Sequence, residues 1–173
     1  MSQISHRRSA PSALRNRVPI AEAMAPWLPA SGLMLEIASG SGEHSQYFAG
    51  QFPHLLFQPS DPDPAARASI ATYQAEGPDN MLPPLDLDCL ASAWPIAAAD
   101  GVIAINMVHI SPWAATEGLF AKASAIVPIG GPLILYGPYI EADVETAPSN
   151  LAFDADLRAR NPLWGLRDRA MVA

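Results

Sequence analysis

The chain has 173 residues, half of them hydrophobic and 16% charged, with a formal net charge of −7. That size and apolar content describe one globular domain and exclude a disordered chain. A body this acidic also excludes a general nucleic-acid binder, because phosphates require a basic face.

The charge is unevenly spread. Residues 1–17 carry Arg7, Arg8, Arg15 and Arg17 and no acid, whereas the rest holds six basic and seventeen acidic side chains. The basic start reads either as a mitochondrial transit segment or, preferred, as a short arm leading into a helix at 15–28. The expected organisation is thus an arm at 1–17 and a single domain at 18–173. A lone Cys89 excludes an internal disulfide and agrees with a reducing, cytoplasmic setting. His6, His44, His54 and His109 lack ligand spacing, so no metal is expected. No apolar run approaches the roughly 18–20 residues that span a bilayer, so no membrane partner is expected either.

Helical period runs through Leu14, Val18, Ala21, Met24 and Ala25, and Pro26 and Pro29 end it. A first strand is predicted at 33–38, followed by a loop of small residues and a helix at 44–51. A second strand over 55–61 ends in an acid, and Pro62 and Pro64 turn the chain into an Ala-rich helix at 65–73. A short third strand at 82–87 is at most an edge strand, because Pro83 and Pro84 cannot donate to a ladder. The run 101–106 is short, continuous and apolar, which reads as a buried strand. A helix at 116–126, a turn at 128–131, a fifth strand at 133–136 and a helix near 151–160 complete the pattern. Alternation of this kind predicts an α/β fold with a doubly wound, mainly parallel sheet.

Glu36, Asp61 and Asp88 fall at the ends of successive predicted strands. Strand C-termini of an open parallel sheet converge on one crevice, so these acids are expected to line a single site. The loop Ala38-Ser-Gly40-Ser-Gly42 beside them has little side-chain bulk, so backbone can approach a ligand closely. Asp61 lies 19 residues beyond Gly42, near the offset of about 20 at which a carboxylate meets ribose hydroxyls.

These residues resemble a family. The blocks Glu36-Ile-Ala-Ser-Gly-Ser-Gly-Glu-His-Ser45, Gln58-Pro-Ser-Asp-Pro-Asp-Pro64, Asn106-Met-Val-His-Ile-Ser-Pro-Trp113, Ala115-Thr-Glu-Gly-Leu-Phe120, Tyr136-Gly-Pro138 and Ala147-Pro-Ser-Asn-Leu-Ala-Phe-Asp154 resemble, in order, the class I S-adenosylmethionine-dependent methyltransferases, and more narrowly the methyltransferase-like DUF938 group. The resemblance implies a Rossmann-like sheet, S-adenosylmethionine as cofactor and an unidentified methyl acceptor, either a small molecule or a protein side chain. It implies that Glu36 to Gly42 hold the methionine moiety, with Ala38 and Gly40 backbone against it, and that Asp61 takes the ribose. Asp88 and the Cys89 backbone would meet the adenine edge, and Asn106 and Met107 would face the sulfonium. Ala38 departs from the broad class, which has glycine there. His109, near Trp113, reads either as a general base or as a structural histidine bonding loop backbone. Trp113, Tyr136, Tyr139 and Asn150 are expected to rim the crevice, and Arg15 and Asn16 to close over it.

Methyltransferases of this class carry two further strands after the fifth, which leaves 133–136 as an apolar edge. Three explanations are open: a shortened reading frame, which is preferred, a homodimer through that edge, or cover by residues 151–173. The competing functional readings are a non-catalytic S-adenosylmethionine-binding protein and an NAD-dependent oxidoreductase. The latter needs a GxGxxG loop, and the third glycine is missing here.

Overall fold

A computed structural model describes residues 7–173. Its core is a parallel sheet of four strands, β1 (Gly32–Ile37), β2 (Leu55–Pro59), β3 (Gly101–Ile105) and β4 (Leu133–Tyr136), in the order β2-β1-β3-β4. Six α-helices accompany it: α1 (Pro11–Met24), α2 (Glu43–Gln51), α3 (Pro64–Ala75), α4 (Trp113–Ile126), α5 (Pro148–Arg160) and the short α6 (Arg169–Val172). The expected α/β class holds. Among the described residues no helix is long and apolar enough to cross a membrane.

Strand alternation builds two apolar layers. Met34, Phe57 and Ile103 pack with Ile20, Met24, Phe48 and Ile70 from α1, α2 and α3 on one face. Leu35, Ile37, Val102 and Ala104 pack with Leu87, Leu119 and Ala123 on the other. Helices therefore cover both faces, which is why β1 and β3 read as continuous apolar runs.

The expected third strand does not form. The backbone of residues 80–85 meets the β2 edge at two isolated bridges, where Leu82 N donates to Phe57 O at 2.8 Å and Leu85 N donates to Pro59 O at 3.0 Å. Between them Pro83 and Pro84 have no N–H to offer, and the Gln58 side chain donates to Pro83 O instead. The sheet thus has four strands, not five, although residues 85–90 still arrive at its C-terminal end.

The chain start also differs from expectation. Helix α1 begins at Pro11, so Arg15 and Arg17 lie on it and the expected arm boundary at residue 17 falls inside a helix. Residues 7–10 are fastened down: Ala10 N donates to Glu43 Oε2 at 2.6 Å, Arg8 N donates to Ser69 Oγ at 2.8 Å, and Arg8 pairs with Asp63 at 3.1 Å. The first six residues of the basic segment lie outside the described residues. Strand β4 has a single sheet neighbour, β3, and apolar grooves run along both its faces. Residues 167–169 pair with Ile140 and not with β4.

Candidate functional site

A cavity of about 530 Å³ lies at the C-terminal ends of β1, β2 and β3. Ile37 at the end of β1 lines it with Ala38 and Gly40 from the loop that follows, Asp61 to Asp63 come after β2, and Leu87 to Leu90 come from the segment that replaces the third strand. Ile105 ends β3, Met107 and Ile110 to Pro112 follow it, Ala115 comes from α4, and Trp164 comes from the C-terminal segment. No Lys, Arg or His is among the described residues that line it, whereas Asp61, Asp63 and Asp88 are.

Two loops at the cavity floor are backbone-strained. Ala38 has φ 54° at the end of β1, and Asn106 has φ 60° at the end of β3, both in the left-handed region that favours glycine. Such outliers gather at functional sites. Ser39 N donates to Ser60 O at 2.8 Å, which ties the small-residue loop to the end of β2. Gly40 N donates to Asp61 Oδ2 at 3.0 Å, and Asp63 N donates to Asp61 Oδ1 at 2.9 Å. A Cβ on Gly40 would meet nothing within 4 Å, so the loop leaves open space there. Each Asp61 oxygen keeps a second lone pair after these bonds. Burial pushes the Asp61 pKa up, and the two backbone N–H groups oppose that rise.

The expected carboxylate trio is only partly assembled. Asp61 and Asp88 share the cavity, with Asp88 accepting from Leu90 N at 2.8 Å. Glu36 does not reach it. It has the parity of Met34 along β1, so it turns under α2, where it is 2% exposed and accepts a hydrogen bond from Ser45 Oγ. Burial pushes its pKa up to about 7, against the hydrogen bonds from Ser45 and Ser39.

Of the other expected contacts, Ala38, Gly40, Cys89 and Met107 line the cavity, whereas Gly42 and Asn106 do not. Gly42, with φ 94°, stands where a Cβ would sit 2.9 Å from Ile70 Cα, so its role is to let the loop pass close to α3. Asn106 serves the loop as backbone, its N donating to Tyr136 O at 2.7 Å and its O accepting from His109 N at 3.0 Å. The Cys89 thiol is pushed up to about 12 by burial and then by Asp88, so it stays protonated, and its backbone O accepts from Lys122 Nζ at 2.9 Å.

His109 is fully buried and does not line the cavity. Its Nδ1 accepts from Arg167 N at 3.3 Å, its ring packs edge-on against Tyr139 at 4.7 Å, and its backbone O accepts from Gly165 N at 2.9 Å. Burial and then Arg167 push its pKa down to about 4, so it accepts as a neutral ring. Of its two readings, the structural one fits this geometry. Trp113, Tyr136, Tyr139 and Asn150 do not rim the cavity. Trp113 donates to Glu117 on α4, and Tyr136 faces a groove beside α1. Asn16 accepts from His44 Nε2 at 2.9 Å, joining α1 to α2 rather than closing the site, and Arg15 does not line it. The lining residues outside every block and element singled out in the sequence are Leu90, the neighbour of Cys89, and Trp164.

Residues 7–173 match the profile of the family described as "Protein of unknown function (DUF938)". The chain belongs to this family. Solved structures share the fold of this DUF938 chain. An O-methyltransferase family protein from Burkholderia thailandensis is 17% identical with a TM-score of 0.77, covering 93% of this chain and 49% of its own. Human N-acetylserotonin methyltransferase in complex with SAM is 13% identical with a TM-score of 0.76, covering 92% of this chain and 44% of its own. The calicheamicin-biosynthesis methyltransferase CalO1, in its SAH-bound form, is 15% identical with a TM-score of 0.73, covering 93% and 46%. The chain therefore spans about half the length of these structures.

Proposed function

We propose that this chain binds S-adenosylmethionine in the cavity at the ends of β1, β2 and β3 and transfers its methyl group to a small molecule or a protein side chain. The observation that carries the reading is Asp61: a mostly buried carboxylate, fixed by Gly40 N and Asp63 N, beside a loop with open space at Gly40. A carboxylate with two free lone-pair sites suits a vicinal diol. Ala38 and Gly40 would face the methionine part, Asp61 the ribose, Asp88 and Cys89 the base, and Met107 the sulfonium side. Asp61 and Asp88, with no Lys, Arg or His among the described lining residues, favour a ligand with positive charge, whereas the third lining carboxylate, Asp63, is paired with Arg8. The fold shared with the three methyltransferase structures above supports the same reading.

When bound, the cofactor supplies a methyl group already activated on a sulfonium. The protein's own task is then alignment and exclusion of water. Alignment alone is worth up to roughly 7–11 kcal/mol in well-oriented cases. None of the described lining residues is a histidine or lysine, so what they offer is chiefly positioning. That feature also favours the second reading, a cofactor-binding protein without turnover.

Calorimetric titration with S-adenosylhomocysteine and with NAD tests the assignment. Saturable binding of the first and none of the second is expected. The reverse pattern overturns it in favour of an oxidoreductase. Binding followed by no methyl transfer across a broad acceptor screen selects the second reading.

A further inference from the structure

The C-terminal segment contributes one residue to the cavity lining. Trp164 sits on the turn after α5, half-buried, and lines the cavity with Ile110, Pro112, Asp88 and Leu90. Its place is set by a series of bonds. Trp164 N donates to Asn161 O at 2.9 Å, Gly165 N to His109 O at 2.9 Å, and Leu166 N to Asp154 Oδ1 at 2.7 Å. Gly165 has φ 142°, and a Cβ there would lie 2.8 Å from Asp154 Oδ1, so the turn needs glycine to press against α5.

Arg167 then fastens the segment to the loop after β3. Its Nε donates to Val108 O at 3.0 Å, and its Nη2 donates to Ser111 O and to Leu163 O, both at 2.8 Å. The loop that receives these bonds is the one that supplies Ile110 and Ser111 to the cavity wall. The buried His109, unused in the chemistry above, is the post on which the segment docks. Arg160 lies over the Trp164 ring, 5.2 Å from its centroid, so one face of the indole is already covered.

We propose that Trp164 is a ligand-contacting residue whose ring stacks on a planar heteroaromatic ring, so that the C-terminal segment forms part of the binding site. Under the reading above, on which this rests, that ring is the nucleobase. Every nucleobase offers a π-face, and an aromatic side chain recognises it without needing hydrogen bonds. The Asp88 carboxylate in the same cavity is an acceptor for an exocyclic amine at the ring edge.

The full chain, W164A and W164F are titrated with S-adenosylhomocysteine and with adenosine, by calorimetry and by tryptophan fluorescence. W164A weakens both ligands by the same factor, about 10- to 100-fold, in the range of base–aromatic stacking. W164F binds within about threefold of the native chain, yet loses most of the fluorescence response. An undiminished response in W164F, or native affinity in W164A, overturns the proposal. If W164A does not fold, the W164F response decides. Failure of the native chain to bind either ligand overturns the nucleoside reading itself, and this proposal with it.

Discussion

Glu36→Gln is the sharpest test of the electrostatics beneath the loop. Glu36 is 2% exposed, accepts a hydrogen bond from Ser45 Oγ, and has no cationic partner among the described residues. Burial raises its pKa from 4.5 to about 7. The folded chain therefore holds this proton between about pH 4.5 and 7, where the unfolded chain has released it. Stability from this group is complete below pH 4.5 and falls as pH rises through 7. At 1.36 kcal/mol for each pKa unit, the loss reaches about 3 kcal/mol by pH 8. Glutamine keeps the shape and cannot ionise. The variant and native stabilities should coincide near pH 4 and diverge until the variant is about 3 kcal/mol more stable at pH 8. In a domain of this size that is a rise of about 6–12 °C in Tm. The comparison must be a difference between the two proteins. His44 and His109, both pushed down to about 4 by burial, add stability above about pH 6.5 and lose it as pH falls towards 4, the opposite trend in the same window. Urea denaturation at pH 4, 6 and 8 checks it. A variant less stable than the native chain at pH 8 would refute the reasoning, because Glu36 would then be an ionised, satisfied carboxylate.

Asp61→Ala should weaken S-adenosylhomocysteine by about 1–3 kcal/mol, because the ribose hydroxyls lose a charged acceptor and Gly40 N loses its partner. Unchanged affinity in calorimetry would remove Asp61 from the site. Ala38→Gly should stabilise the chain by up to about 1 kcal/mol in urea: it relieves a left-handed alanine, and the added freedom of the unfolded chain offsets part of the gain. A lower urea midpoint would mean that the methyl group packs productively on the cavity wall. Gly42→Ala should cost about 2 kcal/mol or more, since φ 94° is strained for alanine and its Cβ would press on Ile70 Cα. Thermal unfolding at the native Tm would contradict that role.

Most of the fold was legible where local chemistry and burial agreed. The runs at 33–38 and 101–106 are buried on both faces, so their apolar continuity has one explanation, and both are strands. The segment at 82–87 failed for a reason that was visible: two successive prolines remove the donors that a ladder needs, and the backbone touches β2 only on either side of them. Helix α1 started early because Pro11 is a good first-turn residue, a signal outweighed in the periodicity by the apolar positions further on.

In the site, sequence order located the loop at 38–42 and the acid at 61, because a strand end followed by small residues and an acid one strand later are local patterns. It did not reveal which way Glu36 points. Alternation along β1 places it with Met34, but only the packing of α2 makes that face the closed one. Nor did it reveal Trp164, separated by more than forty residues from every other lining position and brought in by bonds to His109 and Asp154.

The sequence by itself determined the α/β class, the places of the main strands along the chain and the floor of the cavity, since these follow from periodicity, prolines and small residues within a few positions of one another. Tertiary structure alone decided that Glu36 is sealed under a helix, that His109 is a docking post and that the C-terminal segment closes one wall. Each of those outcomes depends on contacts between distant segments, whose energies no local pattern carries.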